Sequence, residues 1–470
     1  MKILDYIILI PKKIRKPVKD ILDVFHLKYN QNNIIKKYRI FSINRKGNHL
    51  SYHLTNPGSY NFEKKQQELL FNILNYAKFN VPYYHKVMSN VLLSKSQIIN
   101  NLKELPLLSK EIIREQGTDM YSEHFESLHK NWMNTGGSTG EPLRFPVSEN
   151  FEHVHQKCLY AIMGATKNDI VVSIDGTRIN DNILKKNIYW KEGFGNFPWG
   201  TFHYSTLYMN DGNMKYYIDH LNLIKPGILR GYPSGFENIA RFLINNDIKL
   251  NFKIKGIYLT SEYFDHSFTE LLSKCFNCPI FGQYGHSEVS VFAFTLANSM
   301  EYICSPLYGY TEVLDEEGNH VREGEAGEVT VTGFSNKIMP FIRYKTGDIA
   351  VYGAEYKGVM KLKSLQGRSV DFIISKDNTK IYLIGLIFGG HLKSFDKIKY
   401  WQIEQTEPGI IVVRIVKDIG FTVLLENEIV QLFDSVGVKS EIEYVAEIVL
   451  SNSGKKKFLV QNIKESSFSV

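Results

Sequence analysis

The stretch Gly227-Ile228-Leu229-Arg230-Gly231-Tyr232-Pro233-Ser234 reads as a short strand running into a turn, its apolar centre bounded by glycine and proline. On either side the period of the pattern changes. Residues 214–224 and 236–248 carry apolar side chains at helical spacing, and beyond them Ile170-Val171-Val172-Ser173-Ile174 and Ile254-Lys255-Gly256-Ile257-Tyr258-Leu259 read as further strands. Strands alternating with helices predict an α/β fold whose sheet is largely parallel, with the helices crossing over it. Ligands of such sheets bind beyond the carboxyl ends of the strands. Three polar loops fall at those ends: Tyr232-Pro233-Ser234, Thr260-Ser261-Glu262 and Tyr284-Gly285-His286-Ser287-Glu288. They are expected to converge on one site.

A fourth loop, Asn134-Thr135-Gly136-Gly137-Ser138-Thr139-Gly140-Glu141-Pro142, crowds small and hydroxyl-bearing residues together. Its glycines permit positive φ and close backbone approach, while consecutive N–H groups and the hydroxyls of Thr135, Ser138 and Thr139 suit an anion. The lysine of a Walker-type loop is missing, because Glu141 and Pro142 follow the last glycine. Taken alone, the stretch reads equally as a phosphate cradle or as a surface loop joining two strands.

The whole chain bounds these readings. It has 470 residues, 43% of them hydrophobic, enough for a large core and two or three domains. The net charge of +7, from 56 Lys+Arg against 49 Asp+Glu, is dispersed, so nucleic-acid binding is not expected. Four cysteines and no secretory leader suit a reducing cytoplasm. Cys275 and Cys278 have the spacing of half a zinc or redox site, but no second pair follows. Met1 to Ile10 is apolar and short, and Lys12, Lys13, Arg15, Lys16 and Lys19 come after it, the reverse of a signal peptide. Residues 1–25 therefore suit either a helix packed on its own domain or a weak peripheral contact with an anionic membrane surface. Residues 1–110 read as mainly helical, with an amphipathic stretch over 62–79 and a helix cap at Ser109.

Five motifs in order carry a resemblance: Thr135 to Pro142, Tyr284-Gly285-His286-Ser287-Glu288, Arg343-Tyr344-Lys345-Thr346-Gly347-Asp348, Gly367-Arg368-Ser369-Val370-Asp371, and Ser453-Gly454-Lys455. The chain resembles the adenylate-forming superfamily, in its phenylacetate–CoA ligase-like branch, and most of all the members associated with capsular polysaccharide biosynthesis. The resemblance implies a large amino-terminal α/β domain, residues 1–368, with mixed and parallel sheets and crossover helices. A small mobile α+β domain, residues 369–470, would follow. It also implies an ATP-dependent enzyme that converts a carboxylic acid into an acyl-adenylate and passes the acyl group to a thiol or an amine.

Site residues follow from the matched motifs. Thr135, Gly136, Gly137, Ser138, Thr139 and Gly140 match the loop for the β- and γ-phosphates. Glu288 matches the Mg²⁺-binding glutamate, as a hard cation bridging phosphates requires. Tyr284 matches the residue that stacks near adenine, with Gly285 and Ser287 beside it and Ser261 and Glu262 on the neighbouring loop; a buried core tyrosine is its alternative. Asp348 matches the carboxylate that accepts both ribose hydroxyls, although Thr-Gly-Asp is also a hairpin turn. Arg343 and Arg368 would supply positive charge nearby, Arg368 also marking the domain junction. Lys455 matches the lysine that reaches the α-phosphate, with Lys457 or a solvated basic tail as alternatives. Val370 stands where the family often has a hinge aspartate, which puts the domain motion in doubt and leaves a catalytically silent nucleotide-binding protein as the second reading.

The acid pocket is expected between the glycine loop and Tyr284. Trp199, Phe202, His203, Tyr204, Tyr232 and Pro233 suggest aromatic walls with polar handles, and His203 and His286 read as positioning residues rather than bases. Coenzyme A, the phosphopantetheine of a carrier protein and an amino sugar all satisfy the chemistry as acceptors. The expected location is the cytoplasm, peripheral to the inner membrane if residues 1–25 touch it.

Overall fold

The computed structural model describes residues 45–134, 143–148, 153–166, 168–193, 200–262, 264, 266–368, 372–377, 380–383, 397–417, 420–448 and 458–463. The amphipathic stretch 1–25, the glycine loop 135–140, Trp199, Val370, Lys455 and Lys457 lie outside the described residues.

The described amino-terminal part is helical, as its sequence predicts: Arg45–Thr55, Glu63–Asn80, Pro82–Val87, Ile98–Lys103 and Lys110–Gln116. Helix Glu63–Asn80 buries Gln66, Leu70, Ile73, Leu74 and Ala77, one face at three- and four-residue spacing. Ser109 caps the last of these helices, its Oγ accepting the Ile112 N–H at 3.3 Å. A hairpin of β1 (Lys130–Asn134) and β2 (Arg144–Ser148) then brackets the glycine loop in the chain.

The main sheet has twelve strands. They are β3 (Val171–Asp175), β4 (Trp190–Glu192), β5 (Phe202–Ser205), β6 (Ile228–Gly231), β7 (Gly256–Thr260), β8 (Ile280–Gly285), β9 (Phe292–Thr295), β10 (Tyr302–Cys304), β11 (Gly309–Leu314), β12 (Ala326–Gly333), β13 (Tyr344–Tyr356) and β14 (Val359–Arg368). Their order is β11-β12-β13-β14-β10-β9-β8-β7-β6-β3-β5-β4. The neighbours β5, β3, β6, β7 and β8 are parallel, connected in part by helices Asp211–Ile224, Pro233–Asn245 and His266–Phe276. From β8 onward the sheet turns antiparallel.

Two local expectations are corrected. The segment Tyr232-Pro233-Ser234 is not a turn but the start of helix Pro233–Asn245, with Pro233 at a first-turn position where its missing N–H costs nothing. The helix is therefore three residues longer at its start than the apolar spacing alone suggested. Lys345-Thr346-Gly347-Asp348 is not a hairpin turn either. It lies within β13, where Thr330 pairs with Lys345 and Glu328 with Ile349, so Thr346, Gly347 and Asp348 bulge out opposite Val329 alone. Gly347 takes φ 77° to allow this.

The carboxy-terminal part has its own sheet, β17 (Ile398–Glu407), β18 (Ile410–Lys417), β19 (Lys439–Tyr444) and β20 (Leu459–Gln461), in the order β19-β18-β17-β20, with helix Val423–Asp434 and a hairpin of β15 (Phe372–Ile374) and β16 (Lys380–Tyr382). One buried apolar cluster runs from Leu50 to Leu362, and a second from Ile373 to Leu459. The fold is thus a large mixed α/β body followed by a separate small sheet domain. Side chains link helix Pro233–Asn245 to β17: the Tyr400 hydroxyl donates to Asn238 Oδ1 at 2.6 Å, and the Arg241 guanidinium lies 5.9 Å from the Tyr400 ring centroid. Among the described residues no helix is long and apolar enough to cross a membrane.

Candidate active site

The carboxyl ends of β3, β6, β7 and β8 lie side by side in the sheet, and the polar loops leave from them as the sequence predicts. At the end of β6, Gly231 has φ 139°, and a Cβ there would lie 2.0 Å from the Ile174 carbonyl oxygen. Only glycine permits this approach of β6 to β3. Tyr232 follows, its N–H donating to Ile174 O at 2.9 Å. Burial, with the negative charges of Asp175 and Glu262 nearby, pushes its hydroxyl up to about 12, so it stays a neutral donor.

Helix Pro233–Asn245 lacks a side-chain cap from Tyr232. Glu262, from the loop after β7, supplies one: its carboxylate accepts the Ser234 N–H at 2.9 Å and the Ser234 hydroxyl at 3.0 Å. A carboxylate at a helix start is favoured by the exposed N–H groups there. Ser261, the residue before it, has φ 72°, a conformation that aims Glu262 back across the strand end. In this structure Glu262 therefore ties two of the loops together.

Glu288 lies in the loop after β8 and is buried. The Tyr344 hydroxyl donates to its Oε1 at 2.8 Å, and His286 Nδ1 stands 3.2 Å from Oε2. The second contact is a charge approach without hydrogen-bond alignment, since neither ring nitrogen of His286 has a hydrogen-bond partner among the described residues. Burial works to raise the Glu288 carboxyl, but His286 and the Tyr344 hydroxyl outweigh it and hold the group at about 2. The residue is anionic at neutral pH. Val289, next in the chain, has φ 59°, which is strained for a β-branched side chain and holds Glu288 in a tight turn.

Asp348 projects from the bulge of β13, and the Tyr284 hydroxyl donates to its Oδ2 at 2.8 Å. The bulge is fixed from within: Thr346 Oγ1 donates to Val329 O at 2.7 Å, and the Gly347 N–H donates to Glu328 Oε1 at 3.1 Å. Asp348 faces Arg368 across the β13–β14 ladder, so two of the five motifs meet directly. Tyr284 and Gly285 close β8, and Ser287 lies between them and Glu288 in the loop that follows.

Arg343 departs from the expectation of charge near a ligand. Its guanidinium is buried, bound to Glu312 at 3.2 and 3.3 Å and to the carbonyls of Lys103 and Leu105 at 3.1 and 2.9 Å. It is a strut between the helical part and the sheet. Burial raises the Glu312 carboxyl despite this partner. Cys275 and Cys278 are free, and burial pushes them up to about 11 and about 12, so neither is a ready metal-binding thiolate.

His203, on β5, lies beside β3, and its Nδ1 is 2.8 Å from Asp175 Oδ2. Asp175 also accepts from Ser173 Oγ at 3.0 Å and from the Thr177 N–H at 3.0 Å. Burial opposes ionisation of Asp175, but His203 and the hydroxyls hold it at about 2. Sequence reading did not single out Asp175, because Asp175-Gly176-Thr177 looks like an ordinary turn. Nor did it single out Tyr344 as a partner of Glu288, because the two lie 56 residues apart and only the fold brings them together. Tyr232, Pro233, Ser261, Glu262, Tyr284, His286 and Glu288 all fall at or just beyond the ends of the adjoining strands β6, β7 and β8, and Asp348 is joined to them through the Tyr284 hydroxyl.

The fold recurs in solved structures. A 2-hydroxyisobutyryl-CoA ligase in the postadenylation state, complexed with 2-HIB-AMP, superposes with a TM-score of 0.64 over 88% of this chain and 91% of that one, at 16% identity. The chain has the fold of the adenylate-forming ligases. An acyl acid amido synthetase, AtGH3.15 in complex with 2,4-DB, shares it at TM-score 0.57 and 15% identity, over 86% of this chain and 90% of that one. By sequence the chain is similar to Protein CapK of Staphylococcus aureus, 28% identical over 413 residues, 85% of this chain and 89% of that protein. No family model matches.

Proposed function

We propose that this protein is an ATP-dependent, AMP-forming ligase that activates a carboxylic acid as its acyl-adenylate and passes the acyl group to a thiol or an amine. The observation that carries the reading is the pair of carboxyl side chains, Glu288 and Asp348, each fixed by a tyrosine hydroxyl near the carboxyl end of β8. Activation requires two anions, carboxylate and triphosphate, to be held together, so charge and donors must converge where the strands end. The substrate carboxylate oxygen attacks the α-phosphorus, the bond to the β-phosphate breaks, and pyrophosphate leaves.

In this reading Asp348 accepts the ribose hydroxyls, oriented by Tyr284, and residues 135–140 cradle the departing pyrophosphate. Glu288 fits Mg²⁺, since such ions are held by one or two protein carboxylates with the remaining positions filled by phosphate and water. When bound, the ion offsets phosphate charge during the transfer. Lys455 is the proposed catalytic lysine, delivered by a small domain covering residues 369–470 against a large domain of 1–368, with Arg368 at their junction. His203, Tyr232, Pro233 and His286 would border the acid pocket, together with Trp199. The acceptors in play are coenzyme A, a carrier-protein phosphopantetheine and an amino sugar. The similarity to Protein CapK supports the capsular, surface-polysaccharide part of this reading; the cytoplasm is the proposed location.

Carboxylate-dependent exchange of labelled pyrophosphate into ATP tests the reading. Exchange with at least one acid of a broad panel is expected. A folded protein that exchanges with none, with Mg²⁺ present, overturns it.

A further inference from the structure

We infer that His203 is the proton acceptor for an amine nucleophile, with Asp175 as its positioning residue, so that the product is an amide; the inference rests on the ligase reading above. Asp175 is ionised and can only accept, so the proton on His203 sits at Nδ1, 2.8 Å from Asp175 Oδ2, and the lone pair sits at Nε2. Ser173 Oγ donates to the same oxygen, Oδ2, and the Thr177 N–H donates to Oδ1, so both carboxylate oxygens are held and the carboxylate that faces the imidazole is fixed. Nε2 has no hydrogen-bond partner among the described residues and the side chain is 19% exposed. Gly193 packs close beside it, where a side chain would crowd the ring: a Cβ there would stand 3.2 Å from Nε2 and 2.4 Å from the Gly200 carbonyl oxygen. Tyr232, whose hydroxyl feels both Asp175 and Glu262, places this pair next to the strand ends that hold the other site residues.

Forming the acyl-adenylate needs no base, because a carboxylate attacks. The second step depends on the acceptor. A thiol with pKa near 8.5 ionises to a useful degree unaided, whereas a primary amine with pKa near 10.4 is only about 4 parts in 10⁴ free base at neutral pH. A histidine with a buried carboxylate behind it is therefore of most use to an amine. The amine lone pair attacks the acyl carbon, and the nitrogen gives its proton to Nε2. The bond from the acyl carbon to the phosphate oxygen breaks with its electron pair, releasing AMP, and the proton passes to solvent. The same fold in an acyl acid amido synthetase is consistent with this outcome.

The test is single-turnover acyl transfer to glycine, glucosamine and coenzyme A, with products quantified by mass spectrometry and normalised to the acyl-adenylate trapped as hydroxamate by hydroxylamine. Amide formation is expected in the wild type, slowed about 10² to 10⁴-fold per trapped adenylate in His203→Ala, as removal of a general base implies, and restored in part by added imidazole. Asp175→Asn should slow it as well, without imidazole rescue, because the ring is still present. His203→Gln serves as a second variant should His203→Ala not fold. Adenylate formation with thioester as the sole product, or amide formation that His203→Ala and His203→Gln leave within threefold of wild type, overturns the assignment alone. No adenylate in the wild type overturns the ligase reading and this assignment with it.

Discussion

Replacing Glu288 with glutamine should change how the stability of this protein depends on acid. In the folded chain the Glu288 carboxyl lies at about 2, against an ordinary value of 4.5. A shift of that size is worth about 3 kcal/mol, since each pKa unit is about 1.4 kcal/mol. The side chain is only 7% exposed, so solvent screening removes little of it. The sign follows from linkage. A carboxyl depressed in the folded state stabilises fully above its unfolded value and loses that contribution as pH falls toward its folded one. For Glu288 the window runs from about 4.5 down to about 2, and about 1.4 kcal/mol should already be gone at pH 3.5. Urea unfolding of wild type and Glu288→Gln, followed by tryptophan fluorescence at pH 7 and at pH 3.5, isolates this carboxyl from all the others. The wild type should lose about 1 to 2 kcal/mol more than the variant across that interval. Equal losses in the two proteins would show that His286 and Tyr344 do not hold Glu288 ionised as the geometry requires.

Three further outcomes are expected. Arg343→Ala should destabilise the protein by about 3 to 5 kcal/mol in urea unfolding, because it leaves Glu312 buried without its partner; a loss below about 1 kcal/mol would remove the strut. Asp348→Ala should raise the KM for ATP about tenfold or more, the loss of charge-assisted hydrogen bonds of about 1.5 to 3 kcal/mol, and an unchanged KM would take Asp348 out of nucleotide binding. Glu262→Ala should cost about 0.5 to 2 kcal/mol through the uncapped helix Pro233–Asn245, with faster amide hydrogen exchange confined to that helix's first turn; exchange raised uniformly would contradict the capping role.

The parallel core was legible because its strands and helices carry their own period: the strand readings 170–174 and 254–259 fall within two residues of β3 and β7, and 227–234 contains β6. The cap at Ser109 was legible for the same local reason. The start of helix Pro233–Asn245 was not, since its cap is Glu262, far along the chain and brought close only by the pairing of β6 with β7. The hairpin turn held as the alternative at Thr346 to Asp348 is a bulge instead: glycine marks both, and only the partner strand distinguishes them. Arg343 shows the limit from the other side: a motif position fixes an identity, whereas burial beside Glu312 decides what the charge does.

The bulge in β13 also constrains how this chain could be shortened. Between the same two ladder partners β12 spends two steps and β13 spends four. The difference is even, so residues beyond the bulge keep the faces they would have on an uninterrupted strand. Deleting Thr346 and Gly347 together would restore a regular ladder with Ile349 to Tyr356 still correctly oriented, whereas deleting either one alone would turn that whole segment inside out. The site's aspartate thus rests on an insertion whose length is counted in pairs, and single-residue gaps here should be far more damaging than double ones.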